Sequence, residues 1–151
     1  MLFDEEMMLL ALEEAKAAGA AGDVPVGAVI TDPEGFVIAR AHNTREADGK
    51  PTGHAEINAI ELAAKSIGSR RLTECTLYVT LEPCPMCAGA VLNAGLKRLV
   101  YGAFDDSGGA CASVVNLFEC GFGRAPLVRS RILERECSAL LTDFFRKLRE
   151  K

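Results

Sequence analysis

The chain has 151 residues, 49% hydrophobic and 25% charged, with a net charge of −4 at pH 7. These proportions match an ordinary globular protein and exclude disorder; at ~100–200 residues per domain they imply one domain over residues 1–151. Asp4, Glu5 and Glu6 with no base near the N-terminus argue against a secretory signal, and no apolar run reaches the ~18–20 residues of a membrane span.

Residues 4–18 place Met7, Met8, Leu10, Ala11 and Leu12 at helical spacing behind an acidic first turn, and Gly19 and Gly22 end that helix. Val24–Thr31 is apolar and rich in β-branched residues, as a strand should be. Asp32-Pro33-Glu34-Gly35 has turn chemistry and joins it to a second strand, Phe36–Ala41. Asn43–Gly53 reads as a loop, 54–68 as a helix stopped at Gly68, and Cys75–Leu81 as a strand. Cys84–Leu92 is a helix with Pro85 in its first turn, where proline is tolerated. Lys97–Gly102 is a strand, Asp105–Gly109 a turn, Cys111–Phe118 a short helical segment, and Leu127–Arg129 a short strand. Glu134–Arg149 closes the chain as a helix with Leu140, Leu141, Phe144, Phe145 and Leu148 on one face. The order α-β-β-α-β-α-β-α-β-α predicts an α/β fold, a mixed sheet of about five strands covered by helices.

Charge is unevenly spread: residues 1–60 carry −7, 61–123 carry −1 and 124–151 carry +4. A protein that coats nucleic acid is usually basic overall, so any such contact would come from a local face of the C-terminal segment.

The chemistry concentrates in two short motifs. The chain has two histidines, His42 and His54, and His54 opens His54-Ala55-Glu56. Thirty residues on stands Pro83-Cys84-Pro85-Met86-Cys87. With no secretory signal the six cysteines do not read as a disulfide framework, and the close pair is a metal or redox candidate. Thiols three apart at a helix start face one side, and the helix N-terminus favours their thiolates. With His54 they make three ligands, the number a catalytic zinc keeps while its fourth position stays open. His42, at a strand end, is read as a hydrogen-bonded surface residue. Glu56, two residues past His54, would point ~200° away in a regular helix, so a catalytic carboxylate there requires the helix start to depart from regular geometry. Its other reading is a partner for the helix dipole.

Together the motifs resemble the His-x-Glu…Pro-Cys-x-x-Cys signature of zinc nucleobase deaminases. Val24–Ala28, Ala41-His42-Asn43, Thr76–Cys84, Met86–Ala90, Tyr101–Ala103 with Asp105, and Cys137–Leu148 further resemble the bacterial tRNA adenosine deaminases of the cytidine deaminase superfamily. That resemblance implies a three-layer α/β/α cytidine deaminase-like fold and a cytoplasmic homodimer without membrane contact. It implies a single zinc-dependent domain with one Zn2+ per subunit on His54, Cys84 and Cys87, and Glu56 as the catalytic acid and base. The implied reaction converts adenosine to inosine at the wobble position of a tRNA anticodon loop. Asn43, the Ala55 backbone, the Pro83 carbonyl, Asp105, Phe145 and Arg149 would contact substrate, with Phe144 and Arg146 near the RNA. Each also has a structural reading: Asn43 as a turn residue, Asp105 as a cap, and the phenylalanines as core. Gly53, Phe104, Ser107 and Phe122-Gly123-Arg124 depart from the usual pattern at positions near the RNA. Two alternatives follow, a deaminase of a free base or nucleoside (guanine or cytosine type) and a non-catalytic zinc-stabilised RNA-binding module.

Overall fold

The computed structural model describes residues 2–150. Helices α1 (Phe3–Ala20), α2 (Arg45–Asp48), α3 (Ala55–Ile67), α4 (Pro85–Ala94) and α5 (Glu134–Arg149) surround strands β1 (Gly27–Thr31), β2 (Val37–His42), β3 (Thr76–Leu81), β4 (Arg98–Ala103) and β5 (Leu127–Arg129). The strands form one mixed sheet in the order β2-β1-β3-β4-β5. β1 is antiparallel to both β2 and β3, whereas β3, β4 and β5 are parallel. The fold is the expected three-layer α/β/α arrangement.

Strand periodicity builds the layers, because successive side chains point to opposite faces. Ala28, Ile30, Leu77, Val79, Leu99 and Tyr101 face one way and bury against Ala55, Ala59 and Ala63 of α3 and Ala88, Val91 and Ala94 of α4. Val29, Tyr78 and Val100 face the other way and bury against Met7, Met8, Ala11 and Leu12 of α1 and Cys137 of α5. Each such Val, Leu or Ile contributes about 1.5–3 kcal/mol by leaving water. The run of alanines lets the helices approach closely, and at Gly27 any Cβ would overlap the Ala11 carbonyl oxygen of α1. The start of α1 is tied across the sheet by Asp4. Its carboxylate accepts from Tyr78 OH (2.9 Å), Arg98 (2.9 Å) and Arg129 (2.8 Å).

Several boundaries differ from the reading of the sequence. The first strand begins at Gly27, not Val24, because Pro25 has no N–H to give a ladder. One turn of helix, α2, interrupts the 43–53 loop and stops at Gly49 in the left-handed region (φ 61°). Cys111–Phe118 is not helical. A bridge joins Cys111 to Asn116, and a 3-10 turn follows at Leu117–Glu119 with Asn116 accepting from the Phe118 N–H. The Val114 and Leu117 N–H groups bond to the Gly109 and Ala110 carbonyls, five and seven residues back, where a helix requires a partner four residues back.

The topology gathers one end of the sheet. β1 runs against β2 and β3, so the segment entering β1, the exit of β2 and the exits of β3 and β4 meet at one edge. Val24, Asn43, Glu82 and Asp105 lie on those four segments, and α3 and α4 start from the same edge.

Candidate active site

His54 is the cap of α3, not its first turn, with extended backbone (φ −83°, ψ 148°). Cys84 caps α4 in the same way (φ −73°, ψ 175°), with Pro85 following in the first turn. These caps settle the geometry left open by helical spacing. A capping side chain reaches back over the third helical residue, so Cys84 turns toward Cys87. His54 lies outside the helix while Glu56 is its second residue, so the 200° argument does not apply between them.

His54 Nδ1 lies 3.7 Å from Cys84 Sγ and 3.6 Å from Cys87 Sγ. The three donor atoms all fall within 4.8 Å of one another. A tetrahedral zinc with Zn–N of about 2.0 Å and Zn–S of about 2.3 Å sets N···S separations of about 3.6 Å. The donors therefore fit that ion in number, softness and spacing. Cys87 is buried, and His54 and Cys84 are half-buried at the cavity wall. A hydrogen bond from Cys87, against burial, and another from His54 pull the Cys84 thiol down to about 4. Cys87 is pushed far up, first by Cys84 and then by burial. His54 is raised, chiefly by its hydrogen bond with Cys84. Cys75, Cys111, Cys120 and Cys137 lie outside this cluster, and all six cysteines are free.

Glu56 is 4% exposed yet lines the same cavity. Burial pushes its carboxyl up to about 7, opposed by its own backbone N–H and by His54. A carboxyl poised there gives and takes protons at neutral pH.

The cavity is about 440 Å³, a size typical of small-ligand sites. Val24, Val26, Leu81, Phe104, Leu141 and Phe145 supply its apolar wall, and Asn43, Arg45, Glu82, Asp105, Asp106 and Ser107 its polar one. Asn43 is buried and braces the edge: Oδ1 accepts from the Ala55 N–H (2.8 Å) and Nδ2 donates to the Val24 carbonyl (3.1 Å). The Ala55 N–H is thus already committed to Asn43. The Pro83 carbonyl accepts from the Ala110 N–H (2.8 Å). Asp105 lies on the wall, where Oδ1 accepts from the Ser107 and Gly108 N–H groups (3.1 and 3.2 Å). Phe145 is 41% exposed at the rim and packs edge-to-face on Phe144 (5.4 Å between centroids). Arg146 and Arg149 are exposed on α5, beyond the cavity lining. His42 pairs with Glu14 (2.8 Å), away from the donor cluster. Gly53 sits so close to α2 that a Cβ would lie 3.0 Å from the Arg45 backbone nitrogen.

Sequence reasoning missed Glu82 and Arg45. Glu82 carried one signal, an acid ending an otherwise apolar strand. It is 2% exposed, and its carboxylate gathers the 105–113 loop. Burial alone would raise its pKa, but hydrogen bonds from Ser113 and from three backbone N–H groups outweigh this and lower it.

A histidine and two cysteines at facing helix caps, beside a buried carboxyl that is not one of them, define a deaminase centre, and the MafB19-like deaminase family model matches residues 3–149. The chain is 48% identical to the tRNA-specific adenosine deaminase of Bacillus subtilis, over 100% of this chain and 94% of the relative. A solved structure from a study of A-to-I editing by tRNA:A34 deaminases superposes with a TM-score of 0.87 at 44% identity, covering 90% of this chain and 99% of that one. Guanine deaminase from Nitrosomonas europaea shares the fold at a TM-score of 0.79 and 27% identity, covering 93% of this chain and 83% of that one. The chain belongs to the tRNA-specific adenosine deaminases within this deaminase family.

Proposed function

We propose that this chain deaminates adenosine to inosine at the wobble position of a tRNA anticodon loop, with water consumed and ammonia released. The observation that carries the reading is the buried Glu56 carboxyl at the mouth of a three-donor cluster, in a chain nearly half identical to a tRNA-specific adenosine deaminase. His54, Cys84 and Cys87 would hold a zinc ion, one per subunit. The chemistry the ion supplies when bound is Lewis acidity, which makes water nucleophilic at neutral pH. Glu56 takes one proton from the attacking water and passes it to the ring nitrogen; it then takes the second from the hydroxyl newly formed on C6 and gives it to the amino group, which leaves as ammonia. Its burial beside the donor cluster, on the cavity wall, places it to serve both transfers.

Asn43 holds Ala55, and with it the adjacent Glu56, against the Val24 segment. Its remaining hydrogen-bonding capacity is available to the base or its ribose; the Pro83 carbonyl, which accepts from the Ala110 N–H and the Cys111 thiol, would exchange one of these to meet the departing ammonia. Phe104 and Phe145 offer faces on which a flipped base stacks. Asp105 would accept from the RNA backbone, and Arg146 and Arg149, exposed on the helix that carries Phe145, would meet its phosphates.

The reading includes a homodimer. Gly89 stands inside α4, where a glycine costs about 1 kcal/mol relative to alanine, and a Cβ there would meet nothing within 4 Å. A second copy packed on that face would account for it, and light scattering on wild type and Gly89→Leu would test this. The reading also includes a cytoplasmic setting, and no helix among the described residues is long and apolar enough to cross a membrane. The deciding experiment is inosine mapping on an anticodon stem-loop with wild type and Glu56→Gln. Wild type should produce inosine, and Glu56→Gln should be about 10²–10⁴-fold slower. Ammonia release from free guanine or cytosine with no inosine in RNA would replace this reading by a free-base deaminase. Unchanged function in Glu56→Gln would leave only a zinc-stabilised binding module.

A further inference from the structure

The segment from Phe104 to Ser113 forms one wall of the cavity, yet Ala110 and Cys111 are its only fully buried apolar side chains. It is held by Glu82 instead. Oε1 accepts from the Asp105 N–H (3.0 Å) and the Ser113 hydroxyl. Oε2 accepts from the N–H groups of Cys111 (3.1 Å), Ala112 (2.8 Å) and Ser113 (2.9 Å). Asp105, fixed at its backbone, in turn accepts from Ser107 and Gly108. Gly109 is required by the same arrangement, because a Cβ would overlap the Glu82 carboxyl group. The carboxylate itself stands outside the His54–Cys84–Cys87 cluster.

We propose that Glu82 is a positioning residue: its carboxylate latches the 104–113 loop into the shape that receives the RNA, and so sets substrate affinity rather than metal binding. The inference rests on the RNA reading above for the identity of the substrate, but the latch is a property of the loop alone. Five donors on two oxygens demand an acceptor at both positions. Glutamine keeps the shape but turns an NH2 toward N–H groups, so one side of the latch opens.

The test compares zinc-loaded wild type, Glu82→Gln and Ser113→Ala by steady-state kinetics on an anticodon stem-loop, zinc content, and amide hydrogen exchange. Glu82→Gln should raise KM about 10–150-fold, the ratio expected for one lost hydrogen bond to a charged group, with kcat within about threefold. Exchange at Asp105 and at 111–113 should rise at least about tenfold while α3 and α4 stay protected and zinc stays at one per chain. Ser113→Ala should move the same readouts by about two- to fivefold, and it carries the test if Glu82→Gln does not fold. Unchanged KM and unchanged loop exchange would overturn the proposal, as would zinc loss in step with activity. If wild type makes no inosine, the RNA reading fails, and loop exchange and zinc content still decide the latch.

Discussion

Asn43→Ala gives the sharpest test of how the cavity edge is built. The side chain makes two hydrogen bonds, to the Ala55 N–H at 2.8 Å and to the Val24 carbonyl at 3.1 Å, and it is 6% exposed. Truncation leaves a donor and an acceptor without partners. Each costs about 1–3 kcal/mol when no water replaces the lost bond. Asn43 lines the cavity, so water can enter the space it vacates, and the lower half of that range applies: about 2–4 kcal/mol in total. At about 2–4 °C per kcal/mol for a chain of this length, the thermal midpoint should fall by roughly 4–16 °C. The loss also frees the start of α3, which carries Glu56 and follows His54, so inosine formation should fall at temperatures where the variant is still folded. Asn58→Ala is the control. Asn58 also makes two bonds, to the His42 carbonyl and Thr44 Oγ1, both at 2.9 Å, but it lies outside the cavity. It should cost similar stability with much less activity. A midpoint for Asn43→Ala within about 1 °C of wild type, by calorimetry, would refute the bracing argument.

Cys84→Ala, or a strong chelator acting on wild type, should remove zinc and lower the thermal midpoint, because metal affinity is linked to folding; elemental analysis and calorimetry read both effects. Asp4→Asn should destabilise by about 1.5–3 kcal/mol at pH 7 in urea titrations. The folded Asp4 pKa is held down by Arg98, Tyr78 and Arg129 against burial, so its contribution is present above the ordinary aspartate range and lost as pH falls through the folded value. The gap between the two proteins should therefore close in acid, and a gap that widened would contradict the assignment. Binding of an anticodon stem-loop should weaken linearly in log affinity with log salt, and Arg149→Ala should shallow the slope by about one phosphate contact.

Much of the architecture was legible before any coordinates. β1, β3 and β4 were legible because both faces of the sheet are buried, so each reads as a mainly apolar run between turn signals rather than as an alternation. The donor types were legible too, since His54, Cys84 and Cys87 stand beside helix starts marked by Pro85 and by the apolar periodicity of 57–67. The failures have a common cause. Cys111–Phe118 has local helical character, but its Val114 and Leu117 N–H groups go to the Gly109 and Ala110 carbonyls, in a loop whose path is fixed by Glu82, about thirty residues away in the chain. The Ala55 N–H is likewise held by Asn43, twelve residues earlier in the chain.

Composition, periodicity and motif spacing thus determined a mixed sheet covered by helices, the order of its strands along the chain and the set of candidate donors, because these depend on neighbours along the backbone. Only the tertiary structure decided that His54 and Cys84 are caps, that Glu56 is buried at the cavity wall, and that Glu82 gathers five donors. Those outcomes depend on groups far apart in sequence whose meeting is set by how the sheet pairs, and a buried polar group takes whichever partner that pairing brings within reach.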